Sequence, residues 1–186
     1  MRLLGLPTRF FETIAGAMLL AFPLVARADG CGTQLSPDYE AERIVTVGNS
    51  TDRITVYVSG PMIREEKKMP DGLRVTIRDL RSGRTIVLNP GTGRSTTLPM
   101  PPRPIDPSMT RTLTESGPGD TRVYVVQIQR SGRWLELSRT GCRADGIMTQ
   151  QSFISLDPQG HEVEGVIRQD QIKIGPLSPN LFQIPP

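Results

Sequence analysis

The sequence predicts an all-β domain, or at most a β-rich α+β one, built as an antiparallel sheet. Two observations carry that prediction. Turn-forming groups recur at close spacing: Val47-Gly48-Asn49-Ser50, Ser59-Gly60-Pro61, Pro70-Asp71-Gly72, Ser82-Gly83, Asn89-Pro90-Gly91-Thr92-Gly93, Ser131-Gly132, Ala144-Asp145-Gly146 and Asp157-Pro158-Gln159-Gly160. Between them lie short runs in which apolar residues return at every second position. Frequent turns with such runs between them mark a β-sandwich or barrel.

Strands are expected near 43–47, 53–59, 73–79, 84–89, 94–98, 122–130, 133–139, 147–156 and 163–174. Ile54, Val56 and Val58 share one face, with Thr55, Tyr57 and Ser59 opposite. Leu73, Val75 and Ile77 oppose Arg74, Thr76 and Arg78; Tyr124, Val126 and Ile128 alternate with Val123, Val125 and Gln127. Leu135 and Leu137 oppose Trp134 and Glu136, and Ile172 and Ile174 oppose Gln171 and Lys173. Each pattern sets an apolar face on a core and a polar face in water. Gln169-Asp170-Gln171 breaks the last alternation and suits a β-bulge. Arg-Ser-Gly-Arg occurs at 81–84 and again at 130–133, in each case between two strand-like runs, and reads as two hairpin turns rather than a repeat.

Two stretches lack the pattern. Glu65-Glu66-Lys67-Lys68 reads as a solvated hairpin tip. Pro99, Pro101, Pro102, Pro104 and Pro107 make the chain extended or looped. A short helix is expected from Pro107 to Glu115, with Asp106 as its cap and Pro107 in its first turn.

The leading residues have the three-part order of a secretory signal. Arg2 and Arg9 precede an apolar run from Ile14 to Val25, which ends at Ala26-Arg27-Ala28. That run is about a dozen residues where a membrane span needs about 20, and Pro23 interrupts it. Residues 1–28 are therefore expected to be a cleaved signal peptide, and 29–186 one domain in the periplasm, with no transmembrane segment in the mature chain. Losing Arg2, Arg9 and Arg27 together with Glu12 takes the net charge from +3 to +1. A nearly neutral domain exerts no broad pull on nucleic acid.

Cys31 and Cys142 are the two cysteines. An exported chain meets an oxidising space, so a disulfide between them is expected. The alternative, lipid attachment at Cys31, would need a small-residue triplet before it, and Ala28-Asp29-Gly30 carries an acid there. No metal site is expected, because two distant thiols and the single His161 lack clustered ligand spacing. No cofactor is expected either: Gly91-Thr92-Gly93 lacks the Lys-Ser/Thr ending of a phosphate loop, and there is no Gly-x-Ser-x-Gly elbow. His161 sits in a Gly-rich turn without a catalytic partner, so the chain is not expected to be an enzyme.

The second half of the chain carries a more specific pattern. It runs from Ala144-Asp145-Gly146-Ile147-Met148 through Phe153-Ile154-Ser155 and Gly160. It continues to Ile172-Lys173-Ile174-Gly175-Pro176-Leu177-Ser178-Pro179-Asn180-Leu181-Phe182-Gln183-Ile184-Pro185. Gly60-Pro61-Met62-Ile63-Arg64-Glu65 and Ile86-Val87-Leu88-Asn89-Pro90 add to it. Over roughly residues 50–186 the chain resembles uncharacterised bacterial envelope proteins with the fold of the periplasmic lipoprotein carriers, the LolA/LolB-like superfamily. The resemblance implies a curved, open antiparallel half-barrel with a short helix or loop on its concave side. It also implies a lipid, an acyl chain or a lipidated protein as ligand. On this basis Ile172, Ile174 and Phe182 are the closing strand and its anchor, with Trp134 a further structural residue. Met62, Met69, Met100 and Met109, if they face the concavity, would give a plastic surface for an apolar ligand. The other reading is a structural or regulatory envelope protein that pairs with another protein and binds no small ligand.

Overall fold

The structure, a computed structural model, describes residues 31, 36–99, 109–156 and 159–183. The proposed signal peptide, Met100, Asp106 and Pro107 lie outside them. Among the described residues eleven strands follow one another: β1 (Tyr39–Val47), β2 (Ser50–Ser59), β3 (Met62–Met69), β4 (Gly72–Asp79), β5 (Arg84–Leu88), β6 (Ser95–Pro99), β7 (Thr110–Ser116), β8 (Arg122–Arg130), β9 (Arg133–Cys142), β10 (Met148–Leu156) and β11 (Glu162–Ile174). A 3-10 turn, Pro179–Phe182, closes the described chain, with Ser178 as its cap.

All eleven strands form one antiparallel sheet in the order β6-β5-β4-β3-β2-β1-β11-β10-β9-β8-β7. Apart from β6 and β7, neighbours in sequence are neighbours in space, and the first and last strands pair in the middle. The sheet is an up-and-down array left open between β6 and β7. Covalent geometry makes it curl. From Pro99 to Thr110 the backbone reaches at most about 40 Å. The edges of a flat eleven-stranded sheet would stand about 48 Å apart. The fold is thus all-β and an open curved sheet.

The registers assign every side chain to one of two faces. Tyr39, Ala41, Arg43 and Val45 on β1 lie across from Val58, Val56, Ile54 and Asp52 on β2. Glu65 on β3 follows, across from Val56, with Thr76 on β4 beyond it. On the other side come Gln169, Ile167 and Gly165 of β11, then Gln151 and Phe153 of β10. This inner face holds most of the buried residues, from Val87 on β5 to Val126 on β8. The outer face is wetter, with Val75, Ile77 and Val125 as its buried exceptions.

The nine expected strands are present within a few residues of their expected bounds. The bulge in β11 is also present: Ala41 alone stands against Gln171 and Ile172, and Gln171 takes a φ of 51°. Both Arg-Ser-Gly-Arg copies are hairpin turns. The second is a two-residue turn with Ser131 and Gly132 both at positive φ, as a right-twisted hairpin requires.

Three expectations are corrected. The helix from Pro107 to Glu115 is not formed where the chain is described, since 110–116 is β7. Thr110, Thr112 and Thr114 share one face of that edge strand, so it alternates in β-branched residues rather than in hydrophobicity. Glu65-Glu66-Lys67-Lys68 is the body of β3, not a tip, because both faces of β3 find charged partners. Arg74, Thr76 and Arg78 do not face open water. They lie on the inner face, and Val75 and Ile77 are buried on the outer one.

Cys31 and Cys142 are joined by a disulfide, with Cα atoms 5.4 Å apart. After Cys142 a tight turn, Arg143 N to Ile147 O at 2.9 Å with Gly146 at φ 81°, swings Ile147 inward. Ile147 is fully buried against Tyr39, Ala41, Val56 and Val58. The non-reduced protein should therefore weigh two hydrogens less than the reduced one and show no reactive thiol. A free thiol in the native protein would contradict the bridge.

Candidate functional site

The inner face is not uniformly apolar. One cluster, Tyr39, Ala41, Val56, Val58 and Ile147, fills the end nearest the disulfide. A second, Val45, Phe153 and Ile167, lies towards the other end, with Val47, Ile54 and Met148 packed on it. A charged and polar band crosses the sheet between and beside them, built from residues of five neighbouring strands. β1 supplies Arg43, β3 supplies Glu65 and Lys67, and β4 supplies Arg74 and Arg78. β2 adds Asp52 and β11 adds Gln169.

Glu65 is the centre of the band. Its Oε1 accepts from Arg43 Nη1 at 2.5 Å and its Oε2 from Arg78 Nη2 at 3.0 Å. Arg43 also donates to Gln169 Oε1 at 3.1 Å, and Gln169 Nε2 donates to the carbonyl of Met148. Burial opposes the Glu65 charge, but the guanidinium groups of Arg78 and Arg43 outweigh it and hold the carboxyl below its ordinary range. Lys67 pairs with Asp52 at 2.6 Å.

Arg74 differs from its neighbours. Its register partner is Lys67, a like charge, and its Nε is buried without a hydrogen bond. It has no ion pair among the described residues. The band thus sets Arg43, Lys67, Arg74 and Arg78 against only Asp52 and Glu65. Such an arrangement favours negative charge at its Arg74 end, and guanidinium forks suit planar or tetrahedral oxyanions.

The expected ligand-binding methionines are not gathered in one place. Met62 and Met69 lie on one strand but on opposite faces, outer and inner. Met109 is 42% exposed just before β7, and Met100 lies outside the described residues. Ile172 packs on the Tyr39 cluster, whereas Ile174, beside Tyr39 at the strand end, is 52% exposed. Phe182 is half-buried in the 3-10 turn, which lies on the outer face. There Arg64 donates to the carbonyl of Leu181 at 2.7 Å, its own charge met by Glu66. Trp134 is half-buried with the Arg111 guanidinium 4.2 Å from its ring centroid. His161 is exposed beside the last turn. Sequence reasoning missed Arg43, Glu65, Arg74, Arg78 and Gln169. The available signal was charge at alternate positions within strand-like runs.

Sheet and band together define an open up-and-down sheet with a charged band set among apolar clusters on its inner face. Among solved structures the chain is similar to a LolA superfamily protein from Nitrosomonas europaea. The two are 11% identical, with a TM-score of 0.43, over 82% of this chain and 94% of that one. It is also similar to an outer membrane lipoprotein-sorting protein domain from Vibrio parahaemolyticus. There the identity is 11% and the TM-score 0.38, over 84% of this chain and 92% of that one. At TM-scores below 0.5 neither likeness says what this sheet binds. No family model matches the sequence, and no curated protein matches it.

Proposed function

We propose that the chain is exported through a cleaved signal peptide and acts in the periplasm as a non-enzymatic binding protein. It holds a lipid, an acyl chain or the lipid part of a lipidated protein against the inner face of its sheet. The observation that supports this reading is the make-up of that face. Apolar clusters adjoin a cationic band, in a sheet left open between β6 and β7. An amphiphile presents the same two chemistries, and binding sites for such ligands combine apolar lining with a few fixed polar groups. The Cys31–Cys142 disulfide supports an oxidising compartment.

Native mass spectrometry and organic extraction of protein purified from its own periplasm test the reading. A co-purifying species of lipid mass, removed by extraction and taken up again by the emptied protein, is the expected result. Protein that carries nothing and takes up no short-chain lipid would overturn it. N-terminal sequencing should begin at Asp29, and an intact Met1 on membrane-bound protein would overturn the export route.

A further inference from the structure

We infer that Arg74, with Lys67 across from it on the inner face, receives the phosphate of an anionic lipid. The inference rests on the lipid-binding reading above and adds the class of headgroup. Three observations carry it. The inner-face charges of β1–β4 are four cations against two carboxylates. Both carboxylates are engaged elsewhere, Glu65 by Arg43 and Arg78 and Asp52 by Lys67. Arg74 is left half-buried with a like charge as its register partner and its Nε unsatisfied. A guanidinium nitrogen buried without a partner is costly, and an oxyanion there would supply one. Thr76 follows Arg74 on the same face of β4, so an oxyanion at Arg74 has a hydroxyl at the next position of that face. The Val45, Phe153 and Ile167 cluster and its neighbour Ile54 lie towards the same end of the sheet as Lys67 and Arg74, where acyl chains would run.

The experiment compares three probes on the emptied, disulfide-bonded protein: dihexanoyl phosphatidylglycerol, uncharged dihexanoylglycerol and inorganic phosphate. Each is measured by calorimetry against the parent, Arg74→Gln, Arg74→Lys and the exposed outer-face control Arg168→Gln. The charged lipid should bind at least about tenfold more tightly than the neutral one. Arg74→Gln should erase that preference, Arg74→Lys should keep part of it, and Arg168→Gln should keep all of it. Inorganic phosphate should bind far more weakly than the charged lipid. Arg74→Gln should melt no lower than the parent, since it removes an unpaired charge rather than breaking a pair.

Equal binding of both lipids, unchanged by Arg74→Gln, would overturn the headgroup assignment and leave the lipid reading standing. Failure of both lipids to bind would overturn both. Phosphate binding as tight as that of the charged lipid, and lost in Arg74→Gln, would overturn the lipid as the source of the anion. A sharply lowered melting temperature for Arg74→Gln would make Arg74 a structural residue and overturn the assignment.

Discussion

Glu65→Gln is expected to cost the fold about 3–5 kcal/mol at neutral pH, because it leaves two guanidinium groups on the inner face without their carboxylate. Gln matches Glu in shape, so the loss reports charge and not a cavity. Acid should produce the same loss in the parent. The folded-state pKa of Glu65 lies below its ordinary value, so the unfolded chain takes up the proton first as pH falls. The contribution of Glu65 is therefore fully present above the ordinary carboxylate range, near pH 4.5. It declines as pH drops through that value towards the lower folded one. Urea unfolding of both proteins at pH 7 and pH 3 isolates the effect, since every other carboxylate is common to the pair. The gap between parent and variant should be large at pH 7 and should shrink at pH 3. A gap that is absent at pH 7, or unchanged at pH 3, would show that Glu65 does not hold Arg43 and Arg78 as an ionised group.

The sequence was legible where one face of a strand is apolar. β2, β8 and β11 announce themselves by alternation, and Gln169-Asp170-Gln171 marks the bulge by breaking it. β3 was hidden because both of its faces carry charge. Glu65 and Lys67 turn inward to Arg43, Arg78 and Asp52, while Arg64 and Glu66 turn outward to each other and to the tail. A run of like and unlike charges looks the same in solvent as in such a network, because the partners stand on other strands. Arg43 and Gln169 are 126 residues apart and meet only because the first and last strands pair. β7 was hidden for another reason: as an edge strand with threonine on one face it has no core side to reveal. On β4 the alternation is plain in the sequence, but the apolar set faces outward. Val75 and Ile77 are the apolar set, yet the band lies on the other side. Which face of a strand turns inward is decided by the whole sheet, and a single strand with two usable faces does not declare it.

The second apolar cluster makes the other large prediction. Gly165 on β11 is paired with Phe153 on β10, and the Phe153 ring occupies the space a side chain at 165 would need. A Cβ built on Gly165 falls 2.6 Å from Cε2 and 2.7 Å from Cε1 of that ring. Phe153 is buried against Val45 and Ile167, so it has little room to move aside. Phe153→Ala should cost about 3–5 kcal/mol through lost burial and the void it leaves. Gly165→Ala in the parent should cost about 1–3 kcal/mol through overpacking. In the Phe153→Ala background the same substitution should change sign. There the ring is gone, and Ala in a strand is favoured over Gly by about 0.5–1 kcal/mol because it restricts the unfolded chain. Urea unfolding of the four proteins of this cycle measures the coupling directly. An equal cost for Gly165→Ala in both backgrounds would mean that the backbone of β11, not the Phe153 ring, excludes a side chain at 165. The cluster also tests the division of labour on the inner face. If acyl chains lie on Val45, Phe153 and Ile167, Phe153→Ala should weaken charged and neutral short-chain lipids by the same factor. The preference between them should stay with Arg74.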